Sequence, residues 1–132
     1  MGYYIMDYSI YKDNKMVIGN VKKADNFFSR FKGLMFKKIM NRDCGLLIFP
    51  CNQVHTFNMK FDIDVIFLSR KFEVLCIRPS MKHGKISKMV SNAYYVLELC
   101  SGVAAEKEIK TGDILLLKTQ EQTIDTSKKN IG

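Results

Sequence analysis

Between Cys44 and Leu68 the chain reads CGLLIFPCNQVHTFNMKFDIDVIFL, two apolar runs around Cys51, Asn52, His55, Thr56, Met59, Lys60, Asp62 and Asp64. Those residue types admit four chemistries. Cys51 and His55, four apart, would supply thiolate and imidazole to zinc, with Cys44 and Cys100 completing a tetrahedron. The usual structural spacings, two cysteines two to four residues apart or paired histidines, are absent, so no metal is expected. Alternatively Cys51 is a nucleophile, His55 its base, and Asp62 or Asp64 the orienting group, with Lys60 lowering the thiol pKa. No glycine-rich oxyanion element follows Cys51, and the other histidine, His83, lies in a basic loop. Asp62 and Asp64, two apart, would share a strand face and serve acid–base work or a cation. The plainer role for Asp64 is to accept backbone N–H groups or pair with Lys60. Last, His55, Phe57 and Met59 alternate onto one face and would wall a ligand pocket, with Cys51, Asn52 and Thr56 beside it.

The elements that must position these groups are short and β-rich. Tyr3–Ile10 and Met16–Val21 flank a polar KDNK turn. Asp25 is placed to cap a helix in which Phe27, Phe28, Phe31 and Leu34–Met35 recur at helical spacing, with Gly33 ending its first segment. Gly45–Phe49 is an apolar strand stopped by Pro50. Val54–Lys60 alternates, and Val65–Leu68 is apolar at consecutive positions, as a strand covered on both faces is. A turn at Arg70-Lys71 leads into Phe72–Ile77, which Pro79 stops. A basic loop with Gly84 at its tip precedes a strand over Tyr94–Leu99. Ser101 would cap a short helix over Val103–Ile109, Thr111–Asp113 is a turn, and Ile114–Leu117 is the last strand. The expectation is a mainly-β, single-domain sandwich or barrel with one or two short helices. Residues 1–117 form that domain, and 118–132 form a polar, flexible tail.

With 132 residues, 47 % hydrophobic and 26 % charged, the chain can bury one core, and no window is long and apolar enough to span a bilayer. The N-terminus lacks a basic segment followed by an apolar one, which points to the cytoplasm and to reduced cysteines. The net charge of +8 is spread over Arg30–Arg42 and Arg70–Lys88 without a nucleic-acid motif, and reads as a solvated basic surface.

RFKGLMF (Arg30–Phe36), GLLIFP (Gly45–Pro50), Met59-Lys60, IDVIFL (Ile63–Leu68), YVLEL (Tyr95–Leu99) with Gly102 after it, and IKTGD (Ile109–Asp113) appear in that order. In these pieces the chain resembles the bacterial and archaeal domain of unknown function 192 (DUF192) family over roughly residues 20–117. The resemblance implies a compact mainly-β domain of the sandwich or barrel kind, with no established activity, substrate or cofactor. It also singles out Glu98, a carboxylate inside an apolar strand, as having a buried partner or edging a site. Two departures are Asn58, where relatives commonly carry Trp, and Asp62, where they often carry Pro; a pocket lined by that aromatic would be more polar here.

These readings favour a noncatalytic module that binds a small molecule or peptide. Its cleft would comprise Cys51, Asn52, His55, Thr56, Met59, Lys60, Asp64 and Glu98, without a cofactor. The alternatives are an enzyme using Cys51 and His55, and nucleic-acid binding through the basic loop 78–88, which is not expected as the main role. No membrane partner is expected, and the chain is a monomer or a weak homodimer through an edge strand.

Overall fold

A computed structural model describes residues 2–24, 41–56 and 61–125. Aromatic and β-branched residues at the start make β1 (Gly2–Lys12), which turns through Asp13 and Asn14 into β2 (Lys15–Ala24). Those two turn residues hold φ of 51° and 64°, the positive angles of the tight hairpin turn that matches strand twist. After them come β3 (Cys44–Ile48), β4 (Ile63–Leu68), β5 (Val74–Met81), β6 (Tyr95–Cys100), a one-turn helix α1 (Val103–Glu106) and β7 (Leu116–Asp125). The helix expected from Asp25 lies outside the described residues.

All seven strands join one sheet in the order β5-β4-β6-β3-β2-β1-β7. β2 and β3 run parallel, and the other neighbours run antiparallel. The mainly-β expectation holds, in the form of an open sheet rather than a closed barrel. Its edges are nevertheless drawn together at one end. The Val74 N–H donates to Asp113 O at 2.8 Å and the Leu115 N–H to Phe72 O at 2.9 Å.

Alternation along the central strands divides the core in two. In β4, Ile66 and Leu68 enter an inner core with Leu47, Leu97, Leu99, Ile18 and Val103. Ile63, Val65 and Phe67 enter an outer core with Leu46, Ile48, Val54 and Val96. β4 is therefore buried along its whole length, which is why its sequence is apolar at nearly every position.

Three local expectations are corrected. Pro79 does not stop β5, because β5 is an edge strand and a missing N–H there breaks no ladder on the open side. The last strand does not end at Leu117. It continues to Asp125, where backbone pairing with β1 from Gly2 to Tyr11 gives polar residues a place in the sheet. Ser101 does not cap α1; the N-cap is Gly102, with φ of 89° and no side chain to offer. Among the described residues no helix is long and apolar enough to cross a membrane.

Candidate functional site

Strand register decides which side chains meet. Leu46 pairs with Lys22 and with Glu98, Glu98 with Val65, and Val65 with Arg78. Directly paired residues project to the same side of a sheet. One row across the outer face therefore reads Lys22, Leu46, Glu98, Val65, Arg78. Glu98 is 0 % exposed, a carboxylate set between two apolar neighbours, where an isolated charge is costly to hold. Arg78 is half-buried at the end of the row. Its Nε is buried and has no hydrogen-bond partner among the described residues.

Two irregular segments lie over this face. Residues 51–56 run from the Cys51 N–H, bonded to Tyr94 O at 2.9 Å, to Thr56, whose N–H reaches Lys85 O at 2.8 Å. Between those ends, Val90 N–H donates to Asn52 O (2.8 Å), Ser87 N–H to Val54 O (2.9 Å), and Val54 N–H to the buried Ser87 Oγ (3.0 Å). The Thr56 hydroxyl donates to Lys82 O and accepts from Lys85 N–H at 2.9 Å. This strap presses Val54 into the outer core and turns Asn52, Gln53 and His55 outward.

Asp64 lies on the opposite side of the sheet. Its row partner is Leu99, an inner-core residue. Its Oδ1 accepts the Ser80 N–H at 2.8 Å and its Oδ2 the Ala104 N–H at 2.9 Å. Ala104 is in the first turn of α1, so Asp64 supplies from β4 the acceptor that Gly102 cannot. Around the same helix, Arg42 bonds Glu106 at 2.7 Å, and that hydrogen bond and charge hold Glu106 below the ordinary carboxylate range. Burial would raise the Asp113 carboxyl, but the Lys12 ion pair at 2.9 Å and the Lys110 N–H outweigh it and keep it low.

A DUF192 family profile, described as uncharacterized ACR, matches residues 9–117. The chain belongs to the DUF192 family. A UPF0127 protein of Thermococcus kodakarensis is 31 % identical over 102 residues, which is 74 % of this chain and 64 % of the relative. The chain thus spans slightly under two thirds of that protein. A UPF0127 protein of Pyrococcus horikoshii is 34 % identical over 100 residues, 72 % of this chain and 84 % of the relative. Among solved structures, a protein of unknown function from Novosphingobium aromaticivorans superposes with a TM-score of 0.70 at 21 % identity, covering 83 % of each chain. A Sinorhizobium meliloti protein, described as a candidate transcription regulator, gives 0.64 at 21 % identity, covering 86 % of this chain and 94 % of that one. At that identity the likeness concerns the fold.

Within this DUF192 fold the family pieces have plain structural addresses. GLLIFP is β3 and the turn at Pro50, IDVIFL is β4, YVLEL is β6, and IKTGD is the turn at Gly112, whose φ of 94° favours glycine. Of the expected cleft residues, Cys51 and Glu98 share the outer face, with Thr56 pinning the strap above it. Met59 and Lys60 lie outside the described residues, as does Phe57. Asp64 belongs to the other face and leaves the set, because register with Leu99 points it inward. Asp62 and Asp64 do not act together either: Asp62 pairs with Lys82 at 2.9 Å near the surface.

Cys51 and His55 face different ways. Cys51 packs on the outer core and its Sγ donates to Gln53 O at 3.2 Å, whereas His55 is exposed. A soft metal set is not assembled from these cysteines. Cys44 and Cys100 sit at the Ile63 end of β4 and Cys51 at the Leu68 end, roughly 17 Å away at about 3.3 Å per residue. Arg78 was hidden by its company: in sequence it is one cation among many, although its phase in LCIRP already gave it Cys76's face.

Proposed function

We propose that this DUF192 domain is a noncatalytic binding module that takes a small anionic molecule on its outer face, beside the 51–56 strap. Arg78 is the observation that carries this reading. A buried guanidinium N–H that has no acceptor among the described residues costs stability, and a carboxylate or phosphate oxygen is the partner such a group fits best. The apolar residues around Glu98 would form the walls, Glu98 would exclude anions oriented the wrong way, and Cys51 with Asn52 would edge the mouth. None of the four cysteines is in a disulfide, which suits a reducing compartment and is in keeping with a cytoplasmic protein.

The test is a thermal-shift panel of small carboxylates and phosphate esters on the intact chain and on Arg78→Met. A fitting ligand at a hundredfold its Kd should stabilise the protein by about 2.7 kcal/mol, and the variant should lose that gain. A panel without any stabilising anion, or an equal gain in the variant, overturns the reading.

A further inference from the structure

The loop from Lys82 to Asn92 shows a pattern that covering the sheet does not require. Ile86 and Met89 are 60 % and 67 % exposed, while Ser87 between them is buried and Val90 packs on the outer core. Lys85 and Lys88 alternate with the two apolar side chains, with Lys82 and His83 ahead of them. From Val74 to Leu97 the chain contains no acidic residue. The strap beneath turns out Asn52, Gln53 and His55, none of them acidic, and Asp62 pairs with Lys82 at 2.9 Å.

The loop is held in place. Gly84, Lys85, Ser87 and Val90 all donate backbone N–H groups to residues 52–56, at 2.8 to 3.0 Å. Ile86 and Met89 are thus presented to water by a hydrogen-bonded platform rather than exposed by fraying. Large apolar side chains ringed by lysines are the make-up of an interfacial anchor, in which apolar groups enter the headgroup boundary and cations meet anionic lipids.

We propose that this loop docks the protein on an anionic lipid membrane, Ile86 and Met89 entering the interface and Lys85 and Lys88 contacting headgroups. Nucleic acid would use the same lysines. Single-strand readers, however, stack bases on aromatic rings or arginine planes, and this loop's exposed apolar residues are aliphatic. The attachment is reversible, since a single loop supplies it, and it goes beyond the anion site at Arg78.

The experiment is co-sedimentation of the full chain with phosphatidylglycerol/phosphatidylcholine vesicles and with pure phosphatidylcholine vesicles at low salt. Binding should require the anionic lipid. Lys85→Ala/Lys88→Ala should weaken partition by about 25-fold, about fivefold per lysine. Ile86→Ser/Met89→Ser, which leaves charge unchanged, should weaken it about tenfold or more, with circular dichroism confirming the fold. Lys15→Ala/Lys107→Ala, remote from the loop, should bind as the parent does, which separates a local anchor from the general +8 charge. Three results would overturn the proposal: no binding, loss equal in the remote-lysine variant, or full binding by the serine variant. Release of the vesicle-bound protein by single-stranded RNA, with RNA affinity insensitive to the serine changes, would assign the loop to nucleic acid instead.

Discussion

The two faces of the sheet are closed in different ways. On the inner face, side-chain carboxylates tie the parts together. Asp64 joins β4 to β5 and to the start of α1, Asp113 joins the turn before β7 to Lys12 of β1, and Glu106 joins α1 to Arg42. On the outer face, backbone groups of the 51–56 strap and the 82–92 loop pair with one another, and Glu98 lies buried in the apolar layer they cover. Two acids with nearly identical burial thus have different surroundings. Asp64 is satisfied by two N–H groups fixed by the fold, which is what a structural residue looks like. Glu98 stands in a row with Arg78, whose buried Nε has no hydrogen-bond partner among the described residues, the feature on which the proposed anion site rests.

The sharpest way to break that contrast is a matched pair of isosteric changes. Asp64→Asn puts an amide where one of two backbone N–H groups, that of Ser80 or the buried one of Ala104, needs an acceptor, and should cost about 3 kcal/mol in urea unfolding. Glu98→Gln should change stability by less than about 1 kcal/mol if, as proposed, Glu98 serves binding rather than holding the sheet. Equal losses would make Glu98 a second staple and remove the argument for a site around it.

A smaller effect is expected at the strap. Thr56→Val removes the hydroxyl that serves both Lys82 O and Lys85 N–H and should cost about 1.5 kcal/mol. Hydrogen exchange should accelerate at Gly84, Lys85 and Ser87 while Ala104, tied to Asp64, stays protected. Acceleration at Ala104 as well would mean that the two faces open together.

The smallest expected effect concerns acid. Because the folded Asp113 carboxyl lies below its ordinary range, its contribution is fully present above pH about 4 and is lost as pH falls through the lower folded value. Asp113→Asn should therefore lower Tm by about 3 °C at neutral pH, and by less as pH drops towards 3. A deficit that does not change with pH would show that packing, and not the Lys12 pair, is what the variant loses.

Much of the fold was legible because its signals are local. Consecutive apolar residues in Val65–Leu68 announced a strand covered on both sides, the polar KDNK turn announced the first hairpin, and Gly84 and Gly112 announced turns that the observed φ values require. The site was legible in part. Crowding around Cys51 and His55 marked the segment that becomes the strap, and an acid inside YVLEL marked Glu98. The misreadings share a cause: each element's role depends on a partner distant in sequence. Pro79 is tolerated because no strand among the described residues pairs with β5 on that side, and the polar run after Lys118 is a strand because β1 is beside it. Ser101 looked like a cap because the actual acceptor, Asp64, is contributed by another strand.

The sequence by itself determined the strand-forming runs, most of their turns and the family, since alternation, glycine and proline act within a few residues. Only the tertiary structure decided that Asp64 and Glu98 face opposite ways, that Arg78 stands in Glu98's row, and that Cys51 and His55 diverge. The physical reason is register. Shifting a strand by one residue exchanges its two faces, and register is set by pairing partners that no local pattern names.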